Sequence, residues 1–275
     1  MAGRRAEPRS NVGRAGVAGG LSSASATGWL VERLAASIKS TLDLLLPRTC
    51  VCCDTPLSDR EHRVLCTVCI SRLARMPAPQ CSRCGHPMSS GSCRWCDLLP
   101  AFVRTVRSVC WVPGGTAGEI VHKLKYAGWT ALAEPMAEQM ARLNFPEDVR
   151  EERDLLVPVP LARARARERG YNQSELLARH VGRRWGVQVK EALARRRATE
   201  TQTRLTPGDR LRNVAGAFES VICREELAGR HVVLVDDVVT TAATLNACAK
   251  ALHAGGARII SYVTFGRARA AGDLP

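Results

Sequence analysis

The 275-residue chain has no run of about 18 uninterrupted apolar residues, the length a membrane-crossing helix requires, so no membrane span is expected. The first 28 positions, MAGRRAEPRSNVGRAGVAGGLSSASATG, lack the apolar central stretch of a signal peptide, which argues against export and for a cytoplasmic, thiol-reducing location. Aromatic residues are few, with three Tyr, four Phe and five Trp, which leaves a thin supply for stacking nucleic-acid bases. The P-loop, G-x-G-x-x-G, G-x-S-x-G and H-E-x-x-H patterns are all absent. Acidic residues are also in short supply: 26 against 40 basic, a formal net charge of +14. Such a balance favours polyanionic partners, whether nucleic acid, a phosphorylated small molecule or an anionic surface.

What is present suffices for folding. With 45% hydrophobic and 24% charged residues, one or two globular domains are expected and disorder is a local matter. Residues 1–28, rich in Gly, Ala, Ser and Arg, read as a disordered leader. Over 29–49, Leu30, Leu34, Ile38, Leu42 and Leu45 recur at helical spacing and predict an amphipathic helix that Pro47 stops.

Nine of the twelve cysteines fall between residues 50 and 96. They include four C-x-x-C units: Cys50/Cys53, Cys66/Cys69, Cys81/Cys84 and Cys93/Cys96. Two thiolates three residues apart on a tight turn present both sulfurs to one cation, and two such turns complete a four-sulfur zinc shell. Eight sulfurs fit about two structural Zn²⁺ ions in a module over 50–99. Disulfides are the competing reading, disfavoured without a secretory signal. Three pairings of the four units are open, with sequential pairing preferred. Cys52 competes with its neighbours for a ligand role, and Cys110, Cys223 and Cys248 read as small core residues.

From 100 to 275 the texture changes. Strands are expected at 103–112, 155–159, 231–235 and 258–265, and helices at 116–126, 131–143, 173–185 and 241–254. Alternating strands and helices give an α/β fold with a mostly parallel sheet covered on both faces. His122 reads as structural.

The most informative segment is HVVLVDDVVTTAATL, from His231 to Leu245. An apolar strand ends in Asp236 and Asp237, followed by Thr240, Thr241 and Thr244 at the start of a helix. In open α/β sheets, ligands bind at the carboxyl ends of the strands, and a helix start with nearby hydroxyls suits a phosphate. Twin carboxylates would repel that phosphate unless they faced ribose hydroxyls or a divalent metal. The plainer reading, a strand end beside a threonine helix cap, explains this combination less well.

This segment resembles the phosphoribosyl pyrophosphate signature of type I phosphoribosyltransferases. With LDLLLPRTC, the C-x-x-C units, HKLKYAGW, VPVPLARARARERGYNQSELLA and TETQTRLTPGDRLRNVAGAF, the chain is similar to the competence protein F (ComF) family over about residues 40 to 266. The resemblance implies a double zinc ribbon followed by a type I phosphoribosyltransferase-like domain that binds a phosphoribosyl pyrophosphate-type ligand with Mg²⁺. It implies that Asp236 and Asp237 hold the ribose hydroxyls, and that Thr240, Thr241, Ala242, Ala243 and Thr244 hold the 5-phosphate. Pro158, Val159 and Pro160 match the turn that contacts pyrophosphate, and Arg169, Gly170, Tyr171, Asn172 and Gln173 match an RGYNQ-type segment. Ala242 departs from the family pattern, which has glycine there. A left-handed backbone would make alanine cost about 1–2 kcal/mol.

Fourteen basic and five acidic residues fall within 163–212, so the excess charge is concentrated there. Arg163, Arg165 and Arg167 alternate shortly after Pro160, so some of them can reach a pyrophosphate, the plainer reading of each being a solvated helix face. The reading that emerges is a protein that binds phosphoribosyl pyrophosphate, with transfer of ribose 5-phosphate and release of pyrophosphate if it catalyses. The family's association with DNA uptake keeps a rival: a non-catalytic factor that handles single-stranded DNA and uses the fold as a platform.

Overall fold

The computed structural model describes residues 47–58, 61–62, 64–88, 93–196 and 216–269. The leader over 1–28 and nearly all of the helix expected at 29–49 lie outside the described residues, as does the segment 197–215.

The cysteine module is built from two knuckles of the same design. In the first, Cys50 N–H donates to Thr55 O and Asp54 N–H to Cys50 O; in the second, Cys81 N–H donates to His86 O and Gly85 N–H to Cys81 O. Asp54 and Gly85, the residues that follow each C-x-x-C, both take the left-handed backbone that turns the chain back. Each knuckle faces a short helical turn. For the first this is α1 (Thr67–Ser71), whose start is capped by the Cys66 sulfur; for the second it is a 3₁₀ turn, Arg94–Leu98.

The larger part of the chain runs β1 (Val103–Val112), α2 (Gly115–Tyr126), α3 (Ala133–Ala141), α4 (Glu147–Glu152), β2 (Arg153–Pro158), α5 (Arg163–Arg169), α6 (Gln173–Trp185), β3 (Gln188–Val189), β4 (Leu193–Arg195), β5 (Phe218–Ser220), α7 (Arg224–Leu227), β6 (His231–Val239), α8 (Ala243–Ala254) and β7 (Ile259–Ala268). Five strands form a parallel sheet in the order β1-β7-β6-β2-β3, and β4 pairs with β5 in a separate antiparallel ribbon. This is the expected α/β class with a mostly parallel sheet. Successive residues alternate between two cores, as strand geometry demands. Leu156, Val233 and Val235 pack with Ile120, Leu124, Met136, Met140 and Leu177 from α2, α3 and α6. Leu155, Val157, Val232 and Leu234 pack with Leu245, Cys248 and Leu252 of α8, together with Cys81 and Cys84 of the second knuckle.

Several boundaries differ from the sequence reading. The strand expected to end at Val235 continues to Val239, so the acid pair lies within it and β7 remains its neighbour as far as Arg267. The helix expected from residue 241 starts at Ala243, because Ala242 is left-handed. The helix expected at 131–143 divides into a 3₁₀ turn, Thr130–Leu132, and α3. Cys110 and Cys248 are buried as expected, whereas Cys223 is exposed at the start of α7. The short elements α4, α5, α7, β3, β4 and β5 carry too little periodicity to be read from sequence.

Candidate functional site

The eight cysteines of the C-x-x-C units form two clusters, Cys50/Cys53/Cys66/Cys69 and Cys81/Cys84/Cys93/Cys96, with the sulfurs of each within 4.8 Å of one another. The sequential pairing is the one realised, and Cys52 stands outside. Closest sulfur pairs are Cys50–Cys69 at 3.7 Å and Cys53–Cys66 at 3.6 Å, then Cys81–Cys96 at 3.4 Å and Cys84–Cys93 at 3.3 Å. A tetrahedral zinc thiolate with bonds of about 2.3 Å has edges of about 3.8 Å, so both clusters fit the ion with little adjustment. Four sulfurs per site leave no position for a substrate, which makes these sites structural.

The second candidate site follows from where β2 stops. Pro158 is opposite Val235, and prolines at 158 and 160 supply no ladder donor. Only Val159 N–H continues, to Val235 O at 3.0 Å. From Asp236 onward β6 therefore has a sheet neighbour on the β7 side alone, and the side facing β2 opens into a cavity of about 280 Å³. Its walls include Asp236, Asp237, Thr240, Ala242, Ala243 and Thr244 from β6 and α8, Val159 and Pro160 after β2, and Gln173 and Ser174 at the head of α6. Lys125, Arg165 and Arg195 reach the same space.

Ala242 has φ 57° and ψ 7° and caps α8 with no side-chain acceptor. Ala242 thus offers no side-chain oxygen to the start of the helix, which is the positive end of its dipole. An anion is the natural complement.

The two acids are distinguished by their partners. Ser174 Oγ donates to Asp236 Oδ1 at 2.7 Å, and Asp237 N–H donates to the same oxygen at 2.9 Å. Burial, and then the charge of Asp237, push the Asp236 carboxyl up to about 7. Asp237, 3% exposed, instead pairs with Lys125, whose Nζ is 2.5 Å from Oδ2. Burial pulls the Lys125 ammonium down, but the attraction and hydrogen bond of Asp237, joined by the charge of Asp236, outweigh it and hold the ammonium above its ordinary value. Deleting one partner of so enclosed a pair would cost about 3–5 kcal/mol.

The sequence-predicted residues divide here. Asp236, Asp237, Thr240, Ala242, Ala243, Thr244, Val159, Pro160 and Gln173 share the cavity wall, whereas Pro158, Thr241, Arg169, Tyr171 and Asn172 do not. The latter three brace instead. Asn172 caps α6 through Ser174 N–H and donates to Val159 O, Tyr171 hydroxyl donates to Leu124 O, and Arg169 lies over the Tyr126 ring at 5.3 Å and donates to Gln173. Of the alternating arginines Arg163, Arg165 and Arg167, only Arg165 lines the cavity. Reasoning from sequence gave no role to Lys125, Ser174 or Arg195. The first stands inside the HKLKYAGW motif and the second follows RGYNQ, which was the available signal.

Residues 41–98 match the double zinc ribbon domain family and residues 168–274 the phosphoribosyl transferase domain family. The chain is 33% identical over 231 residues to the DNA utilization protein YhgH of Escherichia coli O6:H1, with 79% of this chain and 96% of that one covered. It is 36% identical over 135 residues to Competence protein F of Haemophilus influenzae, covering 49% and 55%, and 26% identical over 233 residues to Competence protein ComFC of Bacillus subtilis, covering 78% and 93%. No helix among the described residues is long and apolar enough to cross a membrane. Two four-sulfur knuckles ahead of an acid-bearing strand and a phosphoribosyl transferase match place the chain in the competence protein F family, to which it belongs.

Proposed function

We propose that the cavity binds a phosphoribosyl pyrophosphate-type ligand. What supports this most is the meeting of two unlike features on one wall: the carboxylate pair of β6 and the positive, N-terminal end of α8. A sugar needs acceptors for its hydroxyls and a phosphate needs N–H donors, and few ligands need both at this separation. In this reading Asp236 and Asp237 accept from the ribose hydroxyls, and Thr240, Thr244 and the first turn of α8 hold the 5-phosphate. Arg165 and Arg195 line the same space and offer guanidinium donors to phosphate oxygens. The carboxylates are also suitable oxygen donors for Mg²⁺, which would supply charge neutralisation of the pyrophosphate.

Transfer, if it occurs, breaks the bond between the anomeric carbon and the pyrophosphate oxygen while a nucleophile bonds to that carbon. Positive charge develops on the ring, which the nearby carboxylates stabilise, and the departing oxygens carry negative charge that the cations lining the cavity take up. Calorimetric titration of phosphoribosyl pyrophosphate with Mg²⁺ into wild type and Asp236→Asn/Asp237→Asn tests the assignment. Binding by wild type that the double variant loses is the expected result; equal heats for both would remove it.

A second reading takes the name of the relatives, DNA utilization, at face value. Arg163 and Arg167 of α5 are exposed, as are Tyr126 and Trp129, and a basic surface with aromatic rings is what single-stranded DNA sites combine. Gel shifts over a salt series test it: phosphate-driven binding weakens steeply with salt, and no shift at low salt excludes it.

A further inference from the structure

Three cations, Lys125, Arg165 and Arg195, line a cavity that holds two carboxylates, and Lys125 is bound to one of them. Lys125 Nζ sits 2.5 Å from Asp237 Oδ2, so the lysine occupies a position that a ribose hydroxyl would need in order to donate to the same oxygen. Ligand and lysine compete for Asp237.

The lysine is also on the appropriate side to go elsewhere. Thr240, Ala242 and Thr244 lead into α8, whose Leu245 and Leu252 pack on one face of the sheet, whereas Leu124 beside Lys125 and Leu177 of α6 pack on the other. The 5-phosphate end and Lys125 are thus at opposite ends of the acid pair. A ribosyl ligand laid across that pair with its 5-phosphate at α8 directs its anomeric substituent toward the Lys125 side. Moreover, the end of α2 is held in place by residues that touch no ligand space: Tyr171 hydroxyl on Leu124 O, and Arg169 over the Tyr126 ring. The RGYNQ segment flanks Lys125 on both sides.

We infer that Lys125 is the pyrophosphate-recognising residue of this site, held by Asp237 when the site is empty and handed to the pyrophosphate oxygens when the ribose hydroxyls take Asp237. Tyr171 and Arg169 are positioning residues for it. The inference rests on the phosphoribosyl reading above and adds to it the source of selectivity between a pyrophosphorylated ribose and ribose 5-phosphate, which lacks the pyrophosphate.

The test compares those two compounds by calorimetry, with Mg²⁺, on wild type, Lys125→Gln and Lys125→Arg, each first shown by circular dichroism to be folded. Wild type should prefer phosphoribosyl pyrophosphate. In Lys125→Gln that preference should fall by about tenfold or more, with ribose 5-phosphate bound as well as before or better because nothing competes for Asp237. Lys125→Arg, which keeps the charge, should retain most of the preference. If Lys125→Gln weakens both compounds equally, or leaves the preference intact, the assignment of Lys125 is overturned while the site reading stands. Should wild type bind neither compound, the site reading itself fails and takes this role with it. If Lys125→Gln does not fold, Lys125→Arg and Lys125→Met carry the same comparison; a preference unchanged in Lys125→Met overturns the assignment.

Discussion

Asn246 joins the second zinc knuckle to the helix that opens the cavity: its Nδ2 donates to Leu98 O at 2.7 Å, two residues beyond the cysteine ligand Cys96. Its other side-chain atom, Oδ1, accepts from the buried Tyr262 hydroxyl at 3.0 Å, and its own N–H donates to Ala242 O at 2.7 Å. One residue thus connects the metal module and the sheet through its side chain and the left-handed residue at the start of α8 through its backbone.

Asn246→Ala removes both side-chain bonds at a position 7% exposed and strands a buried hydroxyl and a carbonyl. The expected cost is about 2–4 kcal/mol, read from urea denaturation. Zinc should also leave the variant faster than wild type under a chelator; an unchanged release rate would show that the connection carries no strain from module to helix.

The folded protein keeps a proton on Asp236 up to about pH 7, against an ordinary value of 3.8. Between those values the folded state binds more protons than the unfolded one, so the stability this group contributes is present at low pH and declines as pH rises toward 7. Asp236→Asn keeps an acceptor for Ser174 and abolishes the titration. Its melting temperature should exceed that of wild type at pH 8, with the gap closing at pH 5. A gap of equal size at both pH values would refute titration in this window.

Ala242 occupies φ 57° with a Cβ that disfavours it. Ala242→Gly relieves that strain but frees the unfolded chain, so the net gain should be modest, up to about 1 kcal/mol in denaturant melts. A loss of stability would mean that the alanine methyl packs well enough to offset the strain.

Metal analysis should find about two zinc ions per chain. Gly85→Ala would place a Cβ 2.3 Å from Val106 O at a left-handed residue, a contact that backbone cannot yield cheaply. About one zinc should remain in that variant, held by Cys50, Cys53, Cys66 and Cys69. Retention of both would place Gly85 outside the requirements of the second knuckle.

Much of this architecture was legible in the chain because its signals are local. Each C-x-x-C is a turn complete within five residues, and the run Val232–Asp237 followed by α8 is continuous. Lys125, Ser174 and Arg195 were not legible as site residues because three separate elements, α2, α6 and β4, bring them to one cavity. Two of them sit in or beside the HKLKYAGW and RGYNQ segments, but those local patterns do not say that the three residues meet. Arg169, Tyr171 and Asn172 show the reverse case. A recognisable motif pointed to ligand contact, yet their hydrogen bonds go to backbone and neighbouring side chains. Prolines at 158 and 160 were visible as a turn; that they also end the β2 pairing and so open the cavity follows only once β2 and β6 are side by side.

The pairing of β1 with β7 sets a schedule for synthesis. Val103 lies beside Ile260 and Val112 beside Ala268, so β1 must wait for β7, the last of the five sheet strands in chain order. Until then the nascent chain exposes two unfinished sheet margins, on β1 and on β6. A product truncated ahead of Ile259 should therefore accumulate as aggregate, whatever the state of its zinc module.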